Sequence, residues 1–487
     1  MKAMAEHKEE TGFRKSLNLI DSTAIVAGSM IGSGIFIVSA EMSRNLGSPG
    51  WLLVAWIITG VMTIAAALSY GELASMMPHA GGQYVYLREA FNPFSGFLYG
   101  WTFFLVIQSG TIAAVGMAFA KFSGVLFPWF SESNILLNLG FIKINTVHLL
   151  AICSILLLTV NNLVGIRNGK WVQNIFTALK VLMLIVFIIL GLFFTRSAVA
   201  VQANSAVFWR PQSLSGDALS GWSLIAAIGV AMVGSLFSSD AWNNITFAAG
   251  EVKNPKRNIP LSLALGVIIV TIMFLLANFA YLNTLPLRGV ENGTTVFEKG
   301  MQFATNDRLG SATIFVLFGS MASILMAAFI VISTFGCNNG LILSGARVYY
   351  AMAKDKLFFR QVGELNKFGV PGKALVIQAV WASLLCLSGT YSNLLDYVVF
   401  AVLIFYVLTI AGIFRLRKLK PDIERPYKAF GYPVVPAIYM ALAVLIMVIL
   451  LIYRPGYTWP GLIIVLTGIP VYFVWQHFSG GKTTIRE

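Results

Sequence analysis

Gly28-Ser29-Met30-Ile31-Gly32-Ser33-Gly34-Ile35-Phe36 lies in the middle of the first long apolar segment, which runs from about residue 21 to 44. Three glycines and two serines fall within its first seven residues. Each glycine costs a helix interior about 1 kcal/mol relative to alanine. In a bilayer, backbone released from a helix is tolerated only where protein or a water-filled cavity surrounds it. Two readings follow. Gly28-x-x-x-Gly32 can be a small-residue face for close helix packing. Alternatively the helix breaks at mid-membrane, and its released N–H and C=O groups bind a polar solute.

The composition of the whole chain sets the class. Of 487 residues, 57% are hydrophobic and 11% are charged, with a mean hydropathy of +0.78. Soluble proteins carry about 25% charged residues, so too few remain here to cover a soluble surface. Apolar runs of about 20 residues, long enough to cross a bilayer, recur along the length. We place twelve spans at about 21–44, 51–78, 94–120, 147–165, 172–195, 221–250, 259–284, 312–346, 374–391, 393–414, 430–453 and 458–478. The polar opening from Met1 to Ser16 has no apolar h-region, so no signal peptide is expected. Cys153, Cys337 and Cys386 lie inside apolar segments and the four histidines are scattered. Neither metal spacing nor a nucleophile constellation emerges, so neither a metal site nor an enzyme is expected.

The net charge of +14 reports orientation. With both termini cytoplasmic, the inner loops and tails hold 24 Lys/Arg and the outer loops 9, with Lys180 inside a span. This bias follows the positive-inside rule. The expected non-protein contact is membrane lipid, in part anionic, and nucleic acid is not an expected partner.

Three anomalies interrupt the later spans. Lys180 follows Gln173-Asn174-Ile175-Phe176-Thr177-Ala178-Leu179 and precedes fifteen uncharged residues. A lysine at such depth is costly and marks function by default; a lysine snorkelling to the cytoplasmic interface is the bland alternative. The sixth span carries Gly234-Ser235-Leu236-Phe237-Ser238-Ser239-Asp240-Ala241-Trp242-Asn243-Asn244, and an aspartate there needs a partner or a ligand. The eighth carries Ser333-Thr334-Phe335-Gly336-Cys337-Asn338-Asn339-Gly340. Ser333 and Thr334 are candidate hydroxyl partners for Lys180, unless they bond back to their own helix carbonyls. Glu72, in Gly71-Glu72-Leu73, reads as a structural acid near the interface within reach of Arg or Lys. Interrupted spans in corresponding places of two halves point to an inverted-repeat transporter with its site at the midplane.

Gly71-Glu72-Leu73, then Met77-Pro78-His79-Ala80-Gly81-Gly82-Gln83-Tyr84-Val85-Tyr86-Leu87-Arg88-Glu89-Ala90-Phe91 and Gly96-Phe97-Leu98-Tyr99-Gly100-Trp101, resemble the amino acid/polyamine/organocation superfamily. Within it the chain is similar to the L-amino-acid transporter branch. Gly28 to Phe36 matches that branch's first-helix signature, and Glu251-Val252-Lys253-Asn254-Pro255-Lys256-Arg257-Asn258-Ile259-Pro260 its link after the sixth helix. Lys420-Pro421-Asp422 with Arg425-Pro426-Tyr427-Lys428 matches a signature before the eleventh. The matches run in family order from residue 13 to about 436.

The resemblance implies an all-α fold of twelve transmembrane helices, a LeuT-like five-plus-five inverted repeat with helices 1 and 6 broken at the midplane. The expected division is a tail at 1–16, a transport core at 17–420, and two added helices with the C-terminal tail at 421–487. It implies secondary transport of L-amino acids by alternating access; with the Lys180 charge in place of a cation we expect sodium-independent exchange, and neutral amino acids as the main substrates. Proton symport, carriage of cationic amino acids, and an amino-acid-sensing receptor on the same fold are the alternatives. Carried over by motif position, Ser33 and Gly34, with Gly32 in the same turn, receive the substrate carboxylate. Ser29 and Met30 offer carbonyls to its amine, and Phe237 covers the substrate as a gate. Asp240 and Asn243, in the same interrupted stretch, are further candidate substrate-binding residues.

Relatives of the branch have a lysine at the place of Lys180, thought to reach the broken first helix and the eighth helix where sodium-coupled relatives hold a cation. At Asp240 several have a small residue and others an acid. Asp240 either faces the cavity or caps renewed helix after Ser239; the cap is the expected role, and it favours a neutral substrate. Animal members join an accessory glycoprotein through a cysteine after the third helix. The link from Lys121 to Thr146 has none, so no disulfide-linked subunit is expected, and a prokaryotic inner-membrane location is. No cofactor is implied.

Overall fold

A computed structural model describes residues 13, 15–138, 143–388 and 391–478. The first span is built in two pieces. Helix α1 (Leu19–Met30) begins in a capping box: the Asn18 side chain accepts from the Asp21 N–H at 2.8 Å, and the Asp21 carboxylate accepts from the Asn18 N–H at 3.0 Å. It ends where Ile31 turns extended (φ −77°, ψ 94°). A short 3₁₀ turn, Gly34–Phe36, leads into α2 (Val38–Leu46). Helix α3 (Pro49–Met76) opens with proline at a position where its missing N–H costs nothing, and stops before Pro78.

The chain continues with α4 (Gln83–Ala90), α5 (Pro93–Thr102), a π segment at Phe103–Ile107 and α6 (Gln108–Leu126), the last two parts completing the third span with α5. An exposed two-stranded hairpin, β1 (Ile135–Asn138) against β2 (Lys143–Asn145), precedes α7 (Thr146–Leu163) and α8 (Ile166–Ile189). A short α9 (Ala198–Ala206) leads to the sixth span, α10 (Gly221–Ser238) and α11 (Asn244–Phe247). Then come α12 (Pro255–Thr284), the small α13 (Val296–Lys299), α14 (Leu309–Phe318), α15 (Met321–Lys354), α16 (Gly372–Ser388), α17 (Tyr391–Leu419), α18 (Val434–Tyr453) and α19 (Pro455–Phe478).

Among the described residues eleven helical segments are long and apolar enough to cross a membrane, where twelve were expected. The expected ninth span is α16, apolar but only 17 residues long, or about 26 Å at 1.5 Å per residue. The expected eighth span, 312–346, is two helices: Gly319 takes a left-handed conformation (φ +51°) that ends α14, and α15 then runs on to Lys354.

The broken elements sit at the centre. Helix α1 packs against α8, α12 and α15, and α10 against α2 and α18; α15 also lies along α6 and α8. At Gly28 a Cβ would overlap the Gln173 and Thr177 side chains of α8, and at Gly34 it would overlap Ser238 of α10. The close-packing reading of the first stretch therefore holds at Gly28, on the same turn of chain that breaks three residues later.

Candidate functional site

The break in the first span leaves carbonyl oxygens without their helical N–H partners, and side chains from two other helices take them up. Lys180, fully buried on α8, donates its ammonium to the Gly28 carbonyl, to the Ile31 carbonyl at 2.9 Å and to the Ser333 carbonyl of α15 at 3.5 Å. The Ser333 hydroxyl donates to the Ile31 carbonyl at 3.1 Å and to the Gly32 carbonyl at 3.2 Å. The Cys337 thiol donates to the Ser29 carbonyl at 3.0 Å. Lys180 thus meets the first and eighth helices through main-chain oxygens. The hydroxyls expected as its partners do other work: Ser333 bridges to the broken turn, and Thr334 donates back to the Ile330 carbonyl of its own helix at 2.7 Å. Full burial and three carbonyl partners also set aside the snorkelling alternative.

Ser29, Met30 and Ser33 are buried around this turn, and the Ser29 hydroxyl has no hydrogen-bond partner. Gly32 and Gly34 keep the turn free of side chains; a Cβ at Gly32 would meet only the Cys337 sulfur, at 3.6 Å. The chain resumes at Gly34 with the N–H groups of a new helical start, which have no partner within that helix.

The sixth span breaks between Ser239 and Asn243, and Ala241 holds a left-handed backbone (φ +63°) that favours glycine. Asp240 is not the expected cap. Helix α11 starts at Asn244, with Asn243 at the N-cap position making no side-chain capping bond. Besides a local bond from the Ala241 N–H, the Asp240 carboxylate accepts the Tyr406 hydroxyl of α17 at 2.6 Å. Asn243 donates to Gln83 at 3.0 Å, and Gln83 donates on to Thr409 at 3.1 Å. Two cavities meet at Asp240. One is lined by Gln83, Phe103, Gln108, Asn243, Asn244 and Leu341; the other by Thr63, Ser239, Trp242 and Tyr439; Asp240 and Tyr406 line both. Phe237, half-buried one turn before Asp240, packs on the core and lines neither.

On the side of the chain termini the ends of the two broken spans are bonded to each other and to their neighbours. Glu251, just past α11, forms an ion pair with Arg347 of α15 at 3.0 Å, both within 2% of full burial. The Glu251 carbonyl also accepts from the Ser16 and Leu17 N–H groups at 2.9 and 3.0 Å, and Lys253 N–H donates to the Leu17 carbonyl at 2.8 Å. Asp21 pairs with Lys170 at 2.8 Å. Glu72 has the structural role read from its surroundings, accepting from Arg417 at 2.7 and 2.9 Å and from the Ala429 N–H at 2.7 Å.

Sequence reasoning passed over Gln83, Tyr406 and Arg347. Gln83 carried a usable signal, a polar side chain directly after the glycine pair Gly81-Gly82. Tyr406 sits in an unbroken apolar helix and gave none.

Two discontinuous helices, a buried cation on the released carbonyls of one and a carboxylate beside the break of the other define a transporter built on broken membrane helices. The chain belongs to the amino acid permease family, which it matches over residues 17–474. It is a multi-pass membrane transporter, not an enzyme. It is 29% identical to the serine/threonine exchanger SteT of Bacillus subtilis (strain 168), over 96% of this chain and 98% of that protein. It is 28% identical to the b(0,+)-type amino acid transporter 1 of Mus musculus, over 97% of this chain and 90% of the other. With the human large neutral amino acids transporter small subunit 2 the identity is 30%, over 95% of this chain and 81% of that one.

Proposed function

We propose that this protein exchanges L-amino acids across the cell membrane by alternating access, without sodium, and that its main substrates are neutral. The observation that carries the reading is the position of the Lys180 ammonium, on the Gly28 and Ile31 carbonyls and beside Ser333. A fixed positive charge there repels a second cation by about 4 kcal/mol at 4 Å and an effective dielectric of 20. The lysine stands in for a coupling ion and joins the broken helix to α8 and α15. A family match along nearly the whole chain and relatives named as exchangers and amino acid transporters support the reading.

In this account the substrate carboxylate lies against the N–H groups of Gly32, Ser33 and Gly34, where a helix start favours an anion. The substrate amine lies near the Ser29 and Met30 carbonyls. Phe237, which like the turn from Ser29 to Gly34 lines neither present cavity, closes over the substrate. Lys180 and Ser333 hold the turn together, Thr334 supports α15, and Asn243 fixes the unwound stretch through Gln83. The wider architecture is a twelve-helix, LeuT-like five-plus-five repeat: a tail at 1–16, a core at 17–420, and two further helices with the tail at 421–487. Both termini are cytoplasmic in an inner membrane, an orientation supported by the Lys/Arg bias of the loops. The protein works without a disulfide-linked subunit, because the link after the third span has no cysteine.

A second reading, carriage of cationic amino acids, is favoured by one observation: Asp240 lines the cavities instead of capping a helix. Exchange in proteoliposomes loaded with unlabelled amino acids, with and without sodium, tests the proposal. Uptake of label that depends on internal substrate and not on sodium is expected; uptake from empty vesicles driven by a sodium gradient would contradict it.

A further inference from the structure

We propose that Asn338 determines specificity: its carboxamide reads the substrate side chain and selects amino acids bearing a hydroxyl or a carboxamide. The inference rests on the amino acid exchanger reading and deepens it.

Asn338 is buried in α15, 1% exposed, and neither its Nδ2 nor its Oδ1 has a hydrogen-bond partner. Several buried hydroxyls are also unpaired, but among the described residues no other buried carboxamide leaves both its nitrogen and its oxygen without a partner. Buried polar groups are nearly always satisfied, and one left open calls for an explanation. Its neighbours are fully engaged. The Asn339 amide donates to Gly169 and Gln173 and its oxygen accepts from Asn162, while Cys337 holds the Ser29 carbonyl.

The register of α15 says where Asn338 lies. Residues three, four and seven apart share a helix face. Leu341, three residues on, lines the cavity beside Asp240. Gly345, seven residues on, abuts Gln108 and Gln378, and Gln108 lines the same cavity while donating to the Leu341 carbonyl at 2.7 Å. The opposite face, with Ser333 and Gly340, is the one turned to the first span and Gln173. Asn338 therefore shares the helix face of Leu341, one turn from the cavity, although it does not itself line either cavity. A second open group is close to hand: Asn244 of α11 lines the cavity and its Nδ2 is also unpartnered.

Two free N–H donors and one free carbonyl are the complement of a group that both accepts and donates. Serine and threonine hydroxyls and asparagine and glutamine carboxamides do so. An aliphatic side chain leaves all three groups unpaired. A cationic one, having donors alone, leaves both N–H groups unpaired. A site that hydrogen-bonds a substrate group rejects the isostere lacking it far more strongly than an apolar pocket rejects an added hydroxyl.

Threonine and valine are isosteres, and their ratio as competitors is the readout. In proteoliposomes exchanging labelled alanine, wild type should be inhibited by threonine at about one-tenth the concentration of valine or lower, the worth of one net hydrogen bond. Asn338→Leu, close in shape, should bring that ratio to about one. A wild-type ratio near one, or a ratio that Asn338→Leu leaves unchanged, overturns the inference while the exchanger reading stands. No exchange of any amino acid by wild type overturns both. Should Asn338→Leu fail to assemble, wild type in detergent still decides: threonine but not valine should raise its unfolding temperature, and equal shifts overturn the proposal.

Discussion

The Lys180 ammonium lies 2.9 Å from the carbonyl oxygen of Ile31, the residue at which the first membrane helix stops. In an unbroken helix that oxygen would accept from the N–H four residues on. Here α8 supplies the donor, and the Ser333 hydroxyl from α15 reaches the same oxygen at 3.1 Å. One released carbonyl thus gathers three elements that must move relative to one another if the site is to open to either side.

Removing the ammonium should disable transport more than folding. Lys180→Ala leaves the Gly28 carbonyl without its donor and the Ile31 carbonyl to the Ser333 hydroxyl, while the packing of α8 on α1 through Gln173 and Thr177 remains. Exchange should fall at least tenfold, with the unfolding temperature in detergent lowered by only a few degrees, as for about 1 kcal/mol in a protein of this size. Unchanged exchange would show that the lysine is a buried strut and no more.

Phe237 should govern turnover. Closing elements often limit kcat, and this ring stands one turn from Asp240 without lining either cavity. Phe237→Ala should cut the exchange rate several-fold while substrate still raises the unfolding temperature. Normal transport by the variant would place the gate elsewhere.

Asp240 separates the neutral from the cationic reading. Its carboxylate already accepts the Tyr406 hydroxyl at 2.6 Å, so lysine and arginine should compete weakly in wild type and no less weakly in Asp240→Asn. Strong inhibition by arginine that vanishes in the variant would assign Asp240 to the side-chain pocket of a cationic substrate.

The Glu251–Arg347 pair gives a prediction about stability. Taking one partner from a buried ion pair leaves an uncompensated charge, at a cost of about 3–5 kcal/mol, whereas replacing both with uncharged residues is often neutral. Arg347→Met should lower the unfolding temperature markedly, and Glu251→Gln/Arg347→Met should recover most of the loss. A double variant as unstable as the single would mean that the ion pair is not what Arg347 contributes.

What could be read from the chain followed from residues that are out of place in a membrane. Glycines and serines marked the first break and Asp240 the second, and Lys180 was conspicuous because nothing charged follows it for fifteen residues. Each violates the rule for a lipid-embedded helix, and each lies at the centre of the fold. Partners were harder to see, because a partner need not look unusual. Tyr406 is an ordinary aromatic in an apolar helix, and the oxygens that receive Lys180 are main-chain atoms that no residue type announces. The split at Gly319 was missed because a single left-handed glycine ends a helix without altering the hydropathy on either side. Asn338 and Asn339 stood in plain view as a polar pair, yet only their bonding tells them apart: one is saturated by α7 and α8, the other is open.

If the Lys180 ammonium stands in place of a coupling cation, as proposed, transport should not depend on the ion supplied. Purified protein in proteoliposomes loaded with unlabelled amino acid should take up labelled threonine or alanine at the same rate in sodium, potassium or choline buffer. Empty vesicles under an inward sodium gradient should take up almost none. Concentrative uptake into empty vesicles that collapses when sodium is replaced would contradict the claim.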